Sequence, residues 1–410
     1  MKNLLVAQSG GPSSVINSSL AGLVIDALKS EKVDKVYGAF HGVEGIFKEN
    51  FLLFNDVPMD EIRYMKTTPS SALGSCRYKL KDYDVNKDEY DKIMEVFKKY
   101  DIGLFFYIGG NDSMDTVNKL SKLVVEKGLD VTVVGIPKTI DNDLNVIDHT
   151  PGFGSCAKYI NWSIAEMYRD AICYDKKQIT LVEVMGRNAG WLAASACVAT
   201  EYSGAPDLIY LPEINFDMDK FKSDIDKVFA KSKKCFIVIS EGIHYADGKY
   251  VGESEAQAHD GFGHAKLGGT ATLLKAKLEE IHPDAKIQAI ELSILQRSAQ
   301  HCASLIDTEE AFDLGRKGLQ YALDGKTGMM SCLIRKSSLP YEIEYTCVPV
   351  SEVANFEKVV PPEYINAEEN GITRAGFEYF LPLIQGQVEV NKLDGMPRHT
   401  KIKPGYNPKA

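Results

Sequence analysis

Five times along this chain a short apolar run breaks off at a turn built of glycines or polar residues. Asn3 to Ala7 reads as a buried strand that meets Gly10-Gly11, after which Ser13 or Ser14 can cap a helix running to about Leu28. Leu104 to Ile108 leads into Gly109-Gly110 and a helix from about Ser113. Val131 to Ile136 leads into a polar loop, with a helix beginning near Gly154. Ile179 to Val184 leads into Met185-Gly186-Arg187, with a helix from Ala189, and Phe236 to Ser240 leads into Glu241-Gly242. Strands alternating with helices predict parallel sheets covered on both faces, an α/β protein. In such sheets ligands sit at the carboxyl ends of the strands, which is where these turns fall.

At 410 residues the chain is too long for one compact core, so two domains are expected. His149-Thr150-Pro151-Gly152 marks a crossing between them. The glycine-rich stretch Asp260 to Gly269 reads as a loop before a helix, and residues 307–325 as a capped amphipathic helix ending at Gly325. The last twenty residues place Lys392, Arg398, Lys401, Lys403 and Lys409 among prolines and glycines, the pattern of a solvated tail or a surface strap.

Charge narrows the function. With 47 basic against 57 acidic residues the net charge is −10, which argues against nucleic acid as a partner. A few Arg and Lys converging in one cleft can still bind small anions. The eight cysteines are scattered without a C-x-x-C, as expected for buried thiols in a reducing compartment. The histidines lack zinc-site spacing. The apolar start is too short for a signal peptide, and no stretch reaches the ~20 apolar residues of a membrane span. The expectation is a cytoplasmic protein with no membrane partner.

Each turn offers specific chemistry. Ser9-Gly10-Gly11-Pro12-Ser13-Ser14 lets the backbone approach a ligand and presents helix N–H groups to an anion, although a structural turn would look the same. Gly109-Gly110-Asn111-Asp112-Ser113 adds oxygen ligands suited to a hard divalent cation; helix capping by Asp112 is the alternative. Pro137-Lys138-Thr139-Ile140-Asp141-Asn142-Asp143 sets two carboxylates beside a lysine. A carboxylate there can act as general base toward a sugar hydroxyl or organise Mg²⁺ near phosphates, and the lysine suits a phosphate; a plain polar loop is the alternative. Arg187, Glu241 and Arg297 could contact phosphate or sugar hydroxyls, though each by itself also fits a surface charge. There is no G-x-x-x-x-G-K-[ST], no G-x-G-x-x-G and no G-x-S-x-G, which disfavours P-loop kinases, dinucleotide dehydrogenases and α/β-hydrolases.

Taken together, GGPSSVIN at 10–17, LGSCR at 73–77, GGNDS at 109–113, PKTIDND at 137–143, VEVMGRNAG at 182–190, SEG at 240–242 and LQR at 295–297 resemble the phosphofructokinase family in order and spacing. The resemblance implies two doubly wound, mostly parallel-sheet domains with the active site in the cleft between them. It implies a donor domain of residues 1–150 plus roughly 296–350, a fructose 6-phosphate domain of roughly 151–295, and a C-terminal extension of roughly 351–410. By position, Asp141 matches the general base that takes the proton from the 1-hydroxyl of fructose 6-phosphate, flanked by Thr139 and Asp143. Met185, Gly186 and Arg187 match the sugar-contacting turn, Glu241 the carboxylate on the sugar hydroxyls, and Arg297 an arginine that reaches the 6-phosphate. Gly11 and Arg77 match contacts to the phosphoryl donor, and Asn111 stands at the Mg²⁺ position.

Two positions bear on the donor. ATP-using relatives look like GGDGS and carry glycine before Thr-Ile-Asp, whereas this chain has Asp112 and Lys138. Both side chains fill the path of a nucleotide, and Asp112 would repel an α-phosphate. The pair resembles the pyrophosphate-dependent branch, so direct transfer from Mg-pyrophosphate is expected, with Arg77 and Lys138 holding the developing charge. An ATP-dependent enzyme with an unusual pocket is the alternative; NAD or lipid kinases and a non-catalytic subunit fit the motifs less well.

The chain also departs from the family pattern. Asn111 replaces a common Asp, Gln178 and Gln288 stand where many relatives carry arginines that reach a neighbouring subunit, and Ile294 replaces a His or Tyr. Lys176, Lys177 and Arg297 are then the candidates for the 6-phosphate. The helix from Ser13 to Leu28 has no Lys or Arg, which predicts no nucleotide control there. A homodimer or homotetramer is expected from the resemblance.

Overall fold

A computed structural model describes residues 1–252 and 269–409. Among them, a seven-stranded sheet runs in the order β11-β10-β5-β4-β1-β2-β3, and a four-stranded sheet in the order β7-β8-β6-β9. The larger contains β1 (Lys2–Gln8), β2 (Val33–Ala39), β3 (Phe51–Leu53), β4 (Ile102–Gly109), β5 (Thr132–Pro137), β10 (Met329–Ser338) and β11 (Tyr341–Pro349). The smaller contains β6 (Gln178–Val184), β7 (Leu208–Tyr210), β8 (Lys234–Ser240) and β9 (Lys286–Glu291). In the larger sheet β2, β1, β4, β5 and β10 are parallel, and the edge strands β3 and β11 pair antiparallel. The smaller sheet is parallel throughout.

The central strands read as continuous apolar runs because both faces are covered. Every residue of β4, β5, β6 and β8 is buried. The covering helices carry their apolar side chains at three- and four-residue spacing, as with Met114, Val117, Leu120, Leu123 and Val124 of helix Asn111–Glu126. On the other face, helix Ile16–Lys29 crosses helix Leu305–Leu323 with almost no gap. A Cβ on Gly22 would lie 2.1 Å from the Phe312 carbonyl oxygen, and one on Gly315 would lie 2.0 Å from that of Ser19. Only glycine at both crossing points brings this later helix onto the amino-terminal sheet.

The sheet order locates the site. After β1 the chain goes to β2 on one side and to β4 on the other, so a crevice opens beyond the carboxyl ends of β1 and β4. The same reversal occurs at β6, which has β8 on one side and β9 on the other.

Boundaries differ from expectation by a residue or two. Helix Ile16–Lys29 reaches one residue past Leu28 and so includes Lys29, a cation in its last turn, where the helix dipole favours positive charge. The second helix begins at Asn111 rather than near Ser113, and that after Arg187 at Trp191 rather than Ala189. The stretch 260–268 lies outside the described residues, and helix Thr270–Ile281 follows Gly269. The C-terminal residues form short turns, helix Arg374–Phe380 and a small hairpin, Lys392–Leu393 with Met396–Pro397. Their tail is tied to the amino-terminal half where Glu61 accepts from the Lys401 N–H at 2.7 Å. No helix among the described residues is long and apolar enough to cross a membrane.

Candidate active site

The five turns converge on one cleft of about 830 Å³. Gly11, Arg77, Asn111, Asp112, Lys138, Thr139, Asp141, Asp143, Met185, Arg187, Glu241 and Arg297 all line it. Gly186 stands behind the wall. Its φ of +127° and a would-be Cβ 2.7 Å from the Ala189 carbonyl oxygen require glycine there. Its N–H donates to Glu241 Oε1 at 3.3 Å, and its carbonyl accepts from Ser240 Oγ, so the carboxyl ends of β6 and β8 hold the turn Met185 to Arg187 together.

One side of the cleft is built by the ends of β1, β4 and β5. Lys138 follows β5 and is 3% exposed. Its Nζ donates to the Gly11 carbonyl at 2.5 Å, joining two of the sequence motifs directly. Burial pulls its ammonium down to about 8, although Asp141 opposes the shift, so it remains largely charged at neutral pH. Gly110 takes the capping position of helix Asn111–Glu126 and Asp112 stands in the first turn, which removes capping as its role. The Asp112 carboxylate instead pairs with Lys79 Nζ at 3.2 Å.

Between the two sides runs the loop Thr139 to Asp143. Thr139 Oγ1 accepts from the Asp141 N–H at 3.1 Å. Asn142 is left-handed, with φ of 55°, and its side chain turns inward, donating to Tyr379 Oη at 3.0 Å and accepting from the Thr150 N–H at 3.0 Å. That inward turn leaves its neighbours Asp141 and Asp143 lining the cleft. Burial raises the Asp141 carboxyl, against the pull of Lys138 and Arg187. Asp143 is pushed up to about 7 by burial and then by repulsion from Asp141, and Glu241 up to about 7 by burial and then by Asp141. Three carboxyls share one low-dielectric cavity, and such grouping is characteristic of proton-transfer sites.

Several lining residues carried no sequence signal. Lys79 follows shortly after LGSCR and Asn188 lies within VEVMGRNAG, but Asn355 and Glu357 come from the C-terminal part of the chain. Asn188 Nδ2 donates to Glu357 Oε1 at 2.6 Å. Beneath them, Lys358 Nζ donates to the carbonyls of Ile147 and Asp148 at 3.0 and 2.7 Å.

Lys176 and Lys177 are not in the cleft of this chain. They precede β6, whose seven residues span roughly 20 Å, whereas the turn Met185 to Arg187 follows it. Lys177 pairs there with Asp284 at 3.1 Å. Gln178 and Gln288 are bonded to each other at 2.8 Å across β6 and β9, at the same remote end. Ile294 is 60% exposed and outside the lining.

Mg²⁺ binds through one or two carboxylates together with substrate phosphates. The donor chemistry of the cleft fits that habit: Asp112, Asp141 and Asp143 offer carboxylates, and Asp143 Oδ1 is buried without a hydrogen-bond partner. No group of three or more His, Cys, Asp or Glu able to hold a metal alone occurs among the described residues. At Asn111 the amide is already engaged, since Oδ1 accepts from the Asn355 N–H at 2.6 Å.

Comparisons with known proteins agree with this geometry. The chain is 38% identical over 405 residues to the pyrophosphate–fructose 6-phosphate 1-phosphotransferase of Halomonas elongata, covering 98% of this chain and 96% of that one. It is 39% identical to the protein of the same name from Methylococcus capsulatus, with the same coverage. The crystal structure of pyrophosphate-dependent phosphofructokinase from Marinobacter aquaeolei superposes with a TM-score of 0.88 at 37% identity, over 98% of this chain and 97% of that one. The phosphofructokinase family model matches residues 3–320, and on that span, carrying the turns that build the cleft, the chain belongs to the phosphofructokinase family.

Proposed function

We propose that this protein transfers the terminal phosphoryl group of pyrophosphate to the 1-hydroxyl of fructose 6-phosphate, reversibly, giving fructose 1,6-bisphosphate and phosphate. What carries the choice of donor is the filled donor side of the cleft. Lys138 is buried against the Gly11 carbonyl, and the carboxylate of Asp112 is held by Lys79 in the first turn of helix Asn111–Glu126. On this reading a diphosphate is received beside this pair. A triphosphate would bring its α-phosphate against a carboxylate. The names of the relatives from Halomonas elongata and Methylococcus capsulatus support the same choice.

Each residue then has a task. Asp141 takes the proton of the 1-hydroxyl, and the freed oxygen attacks the terminal phosphorus in line as orthophosphate leaves. Lys138 and Arg77 hold the charge that develops on the leaving phosphate, with the Gly11 turn as its backbone cradle. Thr139 orients Asp141 through the backbone bond described above. Glu241 and the turn Met185 to Arg187 hold the sugar hydroxyls, and Arg187 and Arg297 receive the 6-phosphate. Mg²⁺, held by Asp112, Asp141 or Asp143 with the remaining lone pair of Asn111 Oδ1, would neutralise charge between the phosphates. The half of the molecule built on the larger sheet, residues 1–150 with roughly 296–350, serves the donor. Residues of roughly 151–295 serve the sugar phosphate, and roughly 351–410 form the extension.

The proposal includes a homodimer or homotetramer in the cytoplasm, consistent with eight free cysteines. It also includes no nucleotide control at helix Ile16–Lys29, where Lys29 stands in the last turn as the one cation. Assaying purified protein with pyrophosphate and with ATP tests the central claim. Turnover with pyrophosphate alone is expected, and turnover with ATP alone would overturn it.

A further inference from the structure

The segment Asn355 to Glu357 is docked on helix Asn111–Glu126 by a paired amide contact. Asn111 Oδ1 accepts from the Asn355 N–H and its Nδ2 donates to the Phe356 carbonyl, both at 2.6 Å. This is the pattern by which one peptide group pairs with another. An aspartate at 111 would instead set an oxygen against the Phe356 oxygen, since an ionised carboxylate only accepts. One turn further along, Asn355 adopts a left-handed backbone, with φ of 65°, and its Nδ2 donates to Asp115 Oδ1 at 3.0 Å. At the other end Glu357 pairs with Leu144 in an isolated antiparallel bridge and accepts from Asn188.

The segment is therefore fastened to both sides of the cleft, and Asn355 and Glu357 line it together with Asp112. On the pyrophosphate reading, a donor longer than a diphosphate would pass Asp112 and run along the first turns of this helix. That surface is taken: Asp115 is 5% exposed, engaged by Asn355 and by Lys119 at 2.8 Å.

We propose that residues 355–357 form a second donor-specificity element that closes the nucleoside side of the cleft, with Asn111 as its anchor. The idea rests on the pyrophosphate reading above and extends it, because it makes Asp112 insufficient as a barrier. Removing the carboxylate leaves the strap in place.

The test uses the full-length protein and compares kcat/KM for ATP and for pyrophosphate in wild type, Asp112→Gly, and Asp112→Gly combined with Asn355→Gly, Phe356→Gly and Glu357→Gly. Asp112→Gly alone should gain little ATP activity, and the combined variant should exceed it by at least about tenfold, equivalent to relief of one modest steric barrier. Equal ATP activity in the two would overturn the proposal. Should the combined variant fail to fold, Asp112→Gly combined with Asn111→Ala replaces it and is compared with Asp112→Gly alone. In that variant, amide exchange in the peptide 354–358 should speed up, and a non-hydrolysable ATP analogue should compete against pyrophosphate at least about tenfold more tightly. Unchanged exchange, or unchanged competition with faster exchange, would each overturn it. A wild-type enzyme that used ATP and not pyrophosphate would sink the functional reading itself, a result distinct from either.

Discussion

The ammonium of Lys138, at the end of β5, donates to the carbonyl oxygen of Gly11, at the end of β1, across 2.5 Å. This contact joins two separate glycine- and lysine-bearing turns into one wall of the cleft. The slot is tight, because a Cβ on Gly10 would lie 3.2 Å from Lys138 Nζ. Lys138→Ala removes both the charge and the donor to Gly11. It should lower kcat with pyrophosphate on the order of 10²–10³, the scale of losing one preorganised charge-stabilising group. Lys138→Arg should not restore it, since a planar guanidinium cannot enter a slot shaped for an ammonium. Steady-state kinetics decide, and an alanine variant within threefold of wild type would refute the role.

Asp141 is the carboxylate assigned to the proton. Asp141→Ser should cost on the order of 10²–10⁴ in kcat while leaving the KM for pyrophosphate nearly unchanged. A rise in KM with kcat intact would recast Asp141 as a binding group.

The raised carboxyls give the protein a specific pH response. Asp143 and Glu241 titrate at about 7 in the folded chain, against an ordinary value near 4. Between those values the native state holds protons that the unfolded state has lost. Stability from these groups is therefore greatest below about 4 and is lost as pH rises through 7. Asp143→Asn should raise the melting temperature at pH 8 by more than it does at pH 5.5. Scanning calorimetry of the ligand-free protein at both values checks this, and a difference independent of pH would contradict it. In the wild type, the acid limb of kcat/KM should fall near 7 for the same reason.

His149 carries the opposite sign. Its Nδ1 lies 2.7 Å from Asp148 Oδ2 and its Nε2 lies 2.6 Å from Glu310 Oε2, at the crossing between the two sheets. Burial opposes its charge, but Glu310 and Asp148 outweigh burial and push it up to about 9. Its stabilising contribution is complete below about 6.5 and is lost as pH rises through 9. His149→Gln leaves the buried Glu310 without its cation, while Asp148 keeps Arg335 at 3.0 Å, and should destabilise by roughly 3–5 kcal/mol near neutrality. Denaturant midpoints at pH 6.5 and 9.5 should show the gap to wild type closing at the higher pH, and a constant gap would refute the charged imidazole.

Local chemistry in the chain was enough to mark the mostly parallel α/β class, five of the strands and the turns that line the cleft. Apolar runs such as Leu104 to Ile108 mark buried strands, and glycine turns such as Gly109-Gly110 mark their carboxyl ends, because periodicity and backbone freedom act over a few residues. The placement of Asp112, Lys138, Asp141 and Glu241 followed from that. Lys176 and Lys177 lie outside the cleft of this chain, because their distance from Met185 along β6 depends on which end of the strand faces the cleft. Asn355 and Glu357 had no local signature at all. Asn355 enters the site only because its N–H meets Asn111 244 residues away, and Asn142 shows its buried side only because Tyr379 is there to receive it. Those partners are set by how the helices and the C-terminal segment pack, and packing is decided by the whole folded chain.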